Sequence, residues 1–201
     1  AHADAPLHYD PEGAAIGATM TFVLGLLKRE LDLDGIRKSF IGAAQGLGGT
    51  VFDFEWYDGA LWLGTTRGIV RMQAGEHGKI EAHETGWINL EGYALVSTDS
   101  GLVIGHRNGM LVLDPGANTP RTLFQADAEG VLEMIASKHN PDRIYALGDQ
   151  RLLVLEKIAG RWQFGFATPL DGASAATLIE TGPEQLWFGD SRGGPQRWTL
   201  D

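Results

Sequence analysis

The feature that most limits what this chain can fold into is a strand-and-glycine signature that returns at a nearly fixed interval. Its fullest copy is Tyr57-Asp58-Gly59-Ala60-Leu61-Trp62-Leu63-Gly64-Thr65-Thr66-Arg67-Gly68-Ile69-Val70-Arg71-Met72, which reads as turn, strand, tight turn, strand. The same grammar recurs in Asp99-Ser100-Gly101-Leu102-Val103-Ile104-Gly105 with Met110 to Leu113, in Ile144 to Gly148 with Leu152 to Leu155, and in Leu186-Trp187-Phe188-Gly189 with Gln196 to Trp198. The anchoring glycines Gly64, Gly105, Gly148 and Gly189 are 41, 43 and 41 residues apart. One further step back, of 39 residues, lands on Gly25 in Phe22-Val23-Leu24-Gly25, so a fifth, degenerate copy opens the chain. There the roughly helical spacing of Phe22, Leu26, Leu27 and Leu31 competes with the strand reading, and only the period favours the strand.

A period of this length marks solenoids and propellers. Each full unit supplies four strands, in the second unit Val51 to Trp56, Leu61 to Gly64, Ile69 to Met72 and Lys79 to His83. Solenoid coils use one or two strands per repeat, whereas four per repeat make a blade. The expected fold is therefore all-β, a single five-bladed β-propeller of four-stranded antiparallel blades, at about 14–40, 51–83, 94–124, 131–166 and 175–199. The last unit stops after its third strand, near Trp198. Leu7-His8-Tyr9 is strand-like and precedes the first inner strand, so the N-terminal segment is expected to complete the last blade and close the ring, shielding an edge that would invite aggregation.

Composition agrees and excludes some functions. Among 201 residues, 28 glycines and 8 prolines suit many short strands punctuated by turns. A formal charge of −10 opposes general binding to nucleic acid or to an anionic membrane surface, since neither attracts a surface of this sign. With no cysteine there is neither a disulfide nor a thiolate metal site. The longest early apolar run, Met20 to Leu27, is far too short to insert in a bilayer. No basic-then-apolar leader precedes it, which fits a cytoplasmic chain, a processed one or a piece of a longer protein.

Gln45-Gly46-Leu47, Val51 to Glu55, Asp58 to Thr65 and Gly68-Ile69-Val70-Arg71 together resemble the two-component regulator propeller repeat. The match is good in the second unit, fair in the third and fifth, and weak elsewhere. The resemblance implies a bacterial, periplasmic or extracellular ligand-sensing domain of the kind that stands ahead of histidine kinases and diguanylate cyclases. Such motifs determine blades directly and sensing only by association.

Aligned on the anchoring glycine, every unit carries a basic residue two or three positions later: Lys28, Arg67, Arg107, Arg151 and Arg192. In a blade this is the turn between the second and third strands, and all such turns share one face. A basic ring there would grip carboxylate or phosphate groups; the competing reading is that hairpin tips are simply polar and solvated. Trp87, after Gly86 in a connection between blades, is the aromatic candidate for a ligand platform, with core packing as its alternative. Trp62 and Trp187 hold equivalent second-strand positions and are expected between neighbouring blades.

Asp53 and Glu55 alternate with Phe52, Phe54 and Trp56, so both carboxylates point to one side of an inner strand, and Glu133 holds in the fourth unit the place of Asp53. Such a set could serve a glycosidic bond, or it could tie adjacent blades by hydrogen bonds. The histidines show no ligand-like spacing, and Asp32-Leu33-Asp34-Gly35 lacks the glutamate that a calcium loop needs at its twelfth position, where Ala43 stands. No metal and no cofactor is expected. Three readings follow: a non-enzymatic binding or sensory propeller for a small-molecule or carbohydrate ligand, anionic ones included; a hydrolase or lyase using Asp53, Glu55 or Glu133; and a scaffold for a protein partner.

Overall fold

In the computed structural model the described residues are 46–74, 80–126, 130–170, 175–190 and 194–200. They form fifteen strands in three four-stranded sheets and one three-stranded sheet. Blade A is β1(Val51–Tyr57), β2(Ala60–Thr65), β3(Gly68–Ala74) and β4(Ile80–Glu84). Blade B is β5(Gly92–Thr98), β6(Gly101–His106), β7(Gly109–Leu113) and β8(Arg121–Gln125). Blade C is β9(Val131–Ala136), β10(Arg143–Gly148), β11(Arg151–Ile158) and β12(Arg161–Pro169). Blade D is β13(Ala175–Gly182), β14(Gln185–Asp190) and β15(Gly194–Thr199). Every sheet is an antiparallel meander in chain order. The expected first unit at 14–40, with Lys28, and the closing segment Leu7 to Tyr9 lie outside the described residues, as do Arg192 and the segment at Asp32.

The hairpins follow from their turn residues. Asp58 (φ 49) and Gly59 (φ 69) join β1 to β2, and Ala159 (φ 51) and Gly160 (φ 76) join β11 to β12, the double positive φ of a tight two-residue hairpin loop.

A meander buries its apolar side chains only when neighbours cover both of its faces, and the blades lie face to face for that reason. The middle strands β2 and β6 are accordingly buried along their whole length, whereas the outer strands β4 and β8 are only partly covered. Trp62 and Ile69 of blade A meet Leu95, Leu102 and Ile104 of blade B. Val103, Met110 and Val112 of blade B meet Ile144, Leu153 and Trp162 of blade C, and Tyr145, Leu152 and Val154 of blade C meet Leu178, Leu186 and Phe188 of blade D. Trp62 thus packs between blades as expected. Trp187, alternating with Leu186 and Phe188, is half-buried and outside these clusters.

Polar ties reinforce the seams. The fully buried Trp162 donates its indole N–H to Thr98 Oγ1 of blade B at 2.9 Å. Arg121 of blade B holds Asp114 through two bonds and donates a third to the Trp162 carbonyl oxygen of blade C at 2.7 Å. Trp162→Ala removes both the largest side chain of this seam and the partner of Thr98, and urea unfolding is expected to show a loss of about 3–5 kcal/mol.

Candidate functional site

The inner strands β1, β5 and β9 stand side by side and line a cavity of about 570 Å³. Each of the four inner strands carries a bulge after its first residue, with Phe52, Tyr93, Leu132 and Ala176 as the extra residues. A bulge breaks the alternation of side chains and re-aims those beside it. Phe52 and Tyr93 meet edge to face at 5.2 Å between ring centres at the cavity wall. The residue after the bulge is Asp53 in blade A and Glu133 in blade C, so the equivalence read from sequence is met at the bulge. It is not met at the anchoring glycine: Asp53 lies opposite Gly64, but Glu133 lies opposite Leu147, because Gly148 is taken by Val131.

Asp53, Glu55 and Glu133 all face this cavity. Burial pushes the Asp53 carboxyl up to about 6, against two backbone hydrogen bonds that lower it, with smaller contributions from the nearby charges of Glu55 and Glu133. Burial also raises Glu55 and Glu133. The oxygens have protein partners, however. Asp53 accepts the Phe54 N–H at 2.8 Å and, across the seam, the Leu95 N–H at 2.7 Å. Glu55 accepts the Ser97 hydroxyl of blade B at 2.7 Å, and Glu133 the Thr177 hydroxyl of blade D at 3.4 Å. Glu180 reaches back from blade D to the Ser137 hydroxyl and the Lys138 N–H of blade C. The carboxylates are ties between blades, the second of the two roles expected of them. Each Asp53 oxygen thus accepts one backbone N–H, one from its own strand and one from the next blade.

Of the five basic residues, Arg67, Arg107 and Arg151 are described, and they lie at or beside the turns between second and third strands. Arg67 and Arg107 follow β2 and β6, and Arg151 opens β11. Arg67 lies against the Gly48 and Gly49 backbone and pairs with Glu84 at 3.3 Å; Arg107 pairs with Glu91 at 3.2 Å. Arg151 is exposed. Among the described members of the expected ring, two cations are thus already matched by carboxylates, a charge balance that the single-strand alignment did not register.

Trp87 is half-buried and stacks on Trp62 at 5.2 Å with 21° between the ring planes. This is the packing alternative expected of it, and it also lines a second cavity of about 320 Å³ at the outer part of the seam between blades A and B. That cavity brings in Arg71 and His83, which sequence reading passed over. Their signal is register: Glu55, Trp62, Arg71 and His83 are cross-strand partners in one row over all four strands of blade A. Among the described residues no group of three histidines and carboxylates could hold a metal ion, and no helix is long and apolar enough to cross a membrane.

No family model matches the chain, and no curated protein does. Solved structures do. The chain is similar to the extracellular domain of the putative one component system BT4673 from B. thetaiotaomicron, at 17% identity and a TM-score of 0.60, over 75% of this chain and 21% of that one. A second structure, of the extracellular domain of BT4673 described as a putative hybrid two component system, matches at 16% identity and a TM-score of 0.53, over 74% of this chain and 22% of that one. The computationally designed Ika4 protein matches at 16% identity and a TM-score of 0.57, over 78% of this chain and 95% of that one. The fold is all-β and propeller-like. The chain spans about a fifth of the BT4673 extracellular domains it matches.

The elevated Asp53 carboxyl has a measurable consequence. A group raised from 3.8 to about 6 on folding lends stability that is complete below 3.8 and is lost as pH rises through 6. Asp53→Asn removes the charge and keeps one acceptor oxygen for the Phe54 and Leu95 N–H groups, each of which has its own oxygen in the parent. Melting curves between pH 4 and 8 are expected to show a flatter pH dependence for the variant than for the parent.

Proposed function

We propose that this chain is a non-enzymatic, ligand-binding or sensory β-propeller, acting outside the cytoplasm as part of a bacterial signalling or surface system. The observation that carries this reading is the likeness of its blades to the extracellular domain of BT4673, a protein described as a one or two component system. The engagement of the inner-strand carboxylates in ties between blades supports a binding role over hydrolysis. The ligand is a small molecule or a carbohydrate.

The same reading takes the ring as five blades, with the unit at 14–40 as the first and Leu7 to Tyr9 as the outer strand of the last. Blade D supports it by holding three strands where blades A, B and C hold four. Removal of residues 1–12 is expected to bare the β15 edge and cause aggregation or a large drop in melting temperature; a truncated protein that melts like the parent rejects this closure.

An anionic ligand over the hairpin tips, the ring formed by Lys28, Arg67, Arg107, Arg151 and Arg192, has to displace Glu84 and Glu91 from their arginines. A thermal-shift and calorimetric panel of neutral sugars, uronates, sulfated sugars and phosphates at two salt concentrations tests the whole reading. Saturable binding of one class is expected, and silence across the panel rejects it. Where the ligand is anionic, Arg67→Gln with Arg107→Gln weakens it and salt does the same. The double variant itself is expected to melt within about 2 °C of the parent, because exposed ion pairs contribute little.

A further inference from the structure

We propose that the outer cavity between blades A and B is a binding site for a neutral, hydroxylated six-membered ring of the pyranose class. The proposal rests on the reading of the chain as a binding module and names a site distinct from the hairpin tips. The cavity is about 320 Å³, at the small end of ligand pockets and suited to one or two such rings.

Its floor is aromatic. Trp62 is buried, is fixed by its indole N–H bond to the Tyr57 carbonyl oxygen at 3.0 Å, and supports Trp87, which is only half-buried and lines the cavity. A pyranose presents an apolar face of C–H groups that stacks on such a surface, with hydroxyls projecting from its rim.

The polar lining fits that rim. Arg71 lies over the Trp62 ring at 5.5 Å and makes no ion pair with a described residue, and its buried Nε has no hydrogen-bond partner among them. Beside it stand the exposed His83, Asn118 from the connection between β7 and β8, and the carboxylates Asp58 and Glu84, the latter paired with Arg67. One guanidinium among two carboxylates creates no cationic field to hold an anion. The same guanidinium, already over the Trp62 ring, opposes an incoming ammonium. Hydroxyl groups, which both donate and accept, satisfy a mixed set of this kind.

The wall contributed by blade B is held in place. The turn bearing Asn118 closes through the Ala117 N–H on the Asp114 carbonyl oxygen at 3.0 Å, and the Asp114 carboxylate is gripped by Arg121 and by Arg161 at 3.0 Å. A site whose parts are fixed before binding loses less entropy when occupied.

The test titrates the intact chain with methyl pyranosides and their disaccharides, with glucuronate and choline as charged comparators, read by tryptophan fluorescence and by ligand-observed NMR. Saturable binding of a neutral sugar is expected. Trp87→Ala is expected to weaken it about tenfold or more, and the exposed-residue variants Asn118→Ala and His83→Ala about fivefold each, with their melting temperatures unchanged. Neutral-sugar binding that survives all three variants undiminished overturns this site while leaving the binding-module reading intact. Preference for glucuronate or choline overturns the ligand class. Absence of any sugar binding by the folded parent overturns the site, and the wider panel of neutral, sulfated and phosphate ligands then decides the binding-module reading separately.

Discussion

The close approach of one blade to the next runs through glycine, and the rest of the architecture depends on it. A Cβ added at Gly64 would sit 2.6 Å from the carbonyl oxygen of Gly92, and one at Gly105 would sit 2.7 Å from Val131 Cγ1. Gly92 and Val131 are the first residues of the next blade's inner strand, so at Gly64 and Gly105 the anchoring glycine is where the neighbour's inner strand presses in. Without a side chain there, the middle strands meet closely enough for Trp62, Ile104 and Val103 to be buried from both sides. In blades A and B the glycine that punctuates the sequence is therefore a packing contact with the next blade.

Bringing inner strands this close takes their polar groups out of water, and the carboxylates answer that cost. The bulge after the first residue of each inner strand leaves ladder groups to be satisfied by something other than the neighbouring strand. Asp53 meets the backbone of Phe54 and Leu95, and the partner of Glu133 is the equivalent position of blade D, Thr177 and Leu178. Burial then raises the same carboxyls, so a group that looks like a catalytic acid by its titration is explained by its place in the seam. Burial in the seam by itself accounts for the direction of these shifts.

What was legible in the sequence follows from which interactions are local. The strands of blade A come out within one or two residues of their expected limits because alternation, Asp58-Gly59 and the anchoring glycine all act within a hairpin. The three-stranded last unit was legible for the same reason. The balance of the arginines was not. Arg67 and Arg107 find Glu84 and Glu91, 17 and 16 residues away along the chain, and those carboxylates come into view only when the outer strand and the connection between blades are placed. The offset of Glu133 at its glycine was also hidden, since Gly148 paired with Val131 is a one-residue slip that a count of spacings reads as an ordinary 43-residue step.

The contrast between Arg71 and the hairpin-tip arginines decides where this acidic molecule can offer a donor. At Arg67 and Arg107 the positive charge is exposed and matched by a carboxylate, so a ligand competes with both water and glutamate for it. Arg71 sits inside the row Glu55, Trp62, Arg71, His83, where cross-strand register rather than surface charge sets its neighbours. Its guanidinium carbon lies 5.5 Å from the centre of the Trp62 ring, and its buried Nε has no hydrogen-bond partner among the described residues. A donor that is positioned, partly dehydrated and unmatched gains more from a hydroxyl group than a solvated one does, because less water has to be removed and less motion lost. The seam between two blades, rather than the tips of their hairpins, is thus where cross-strand register instead of an ion pair sets the surroundings of a half-buried arginine.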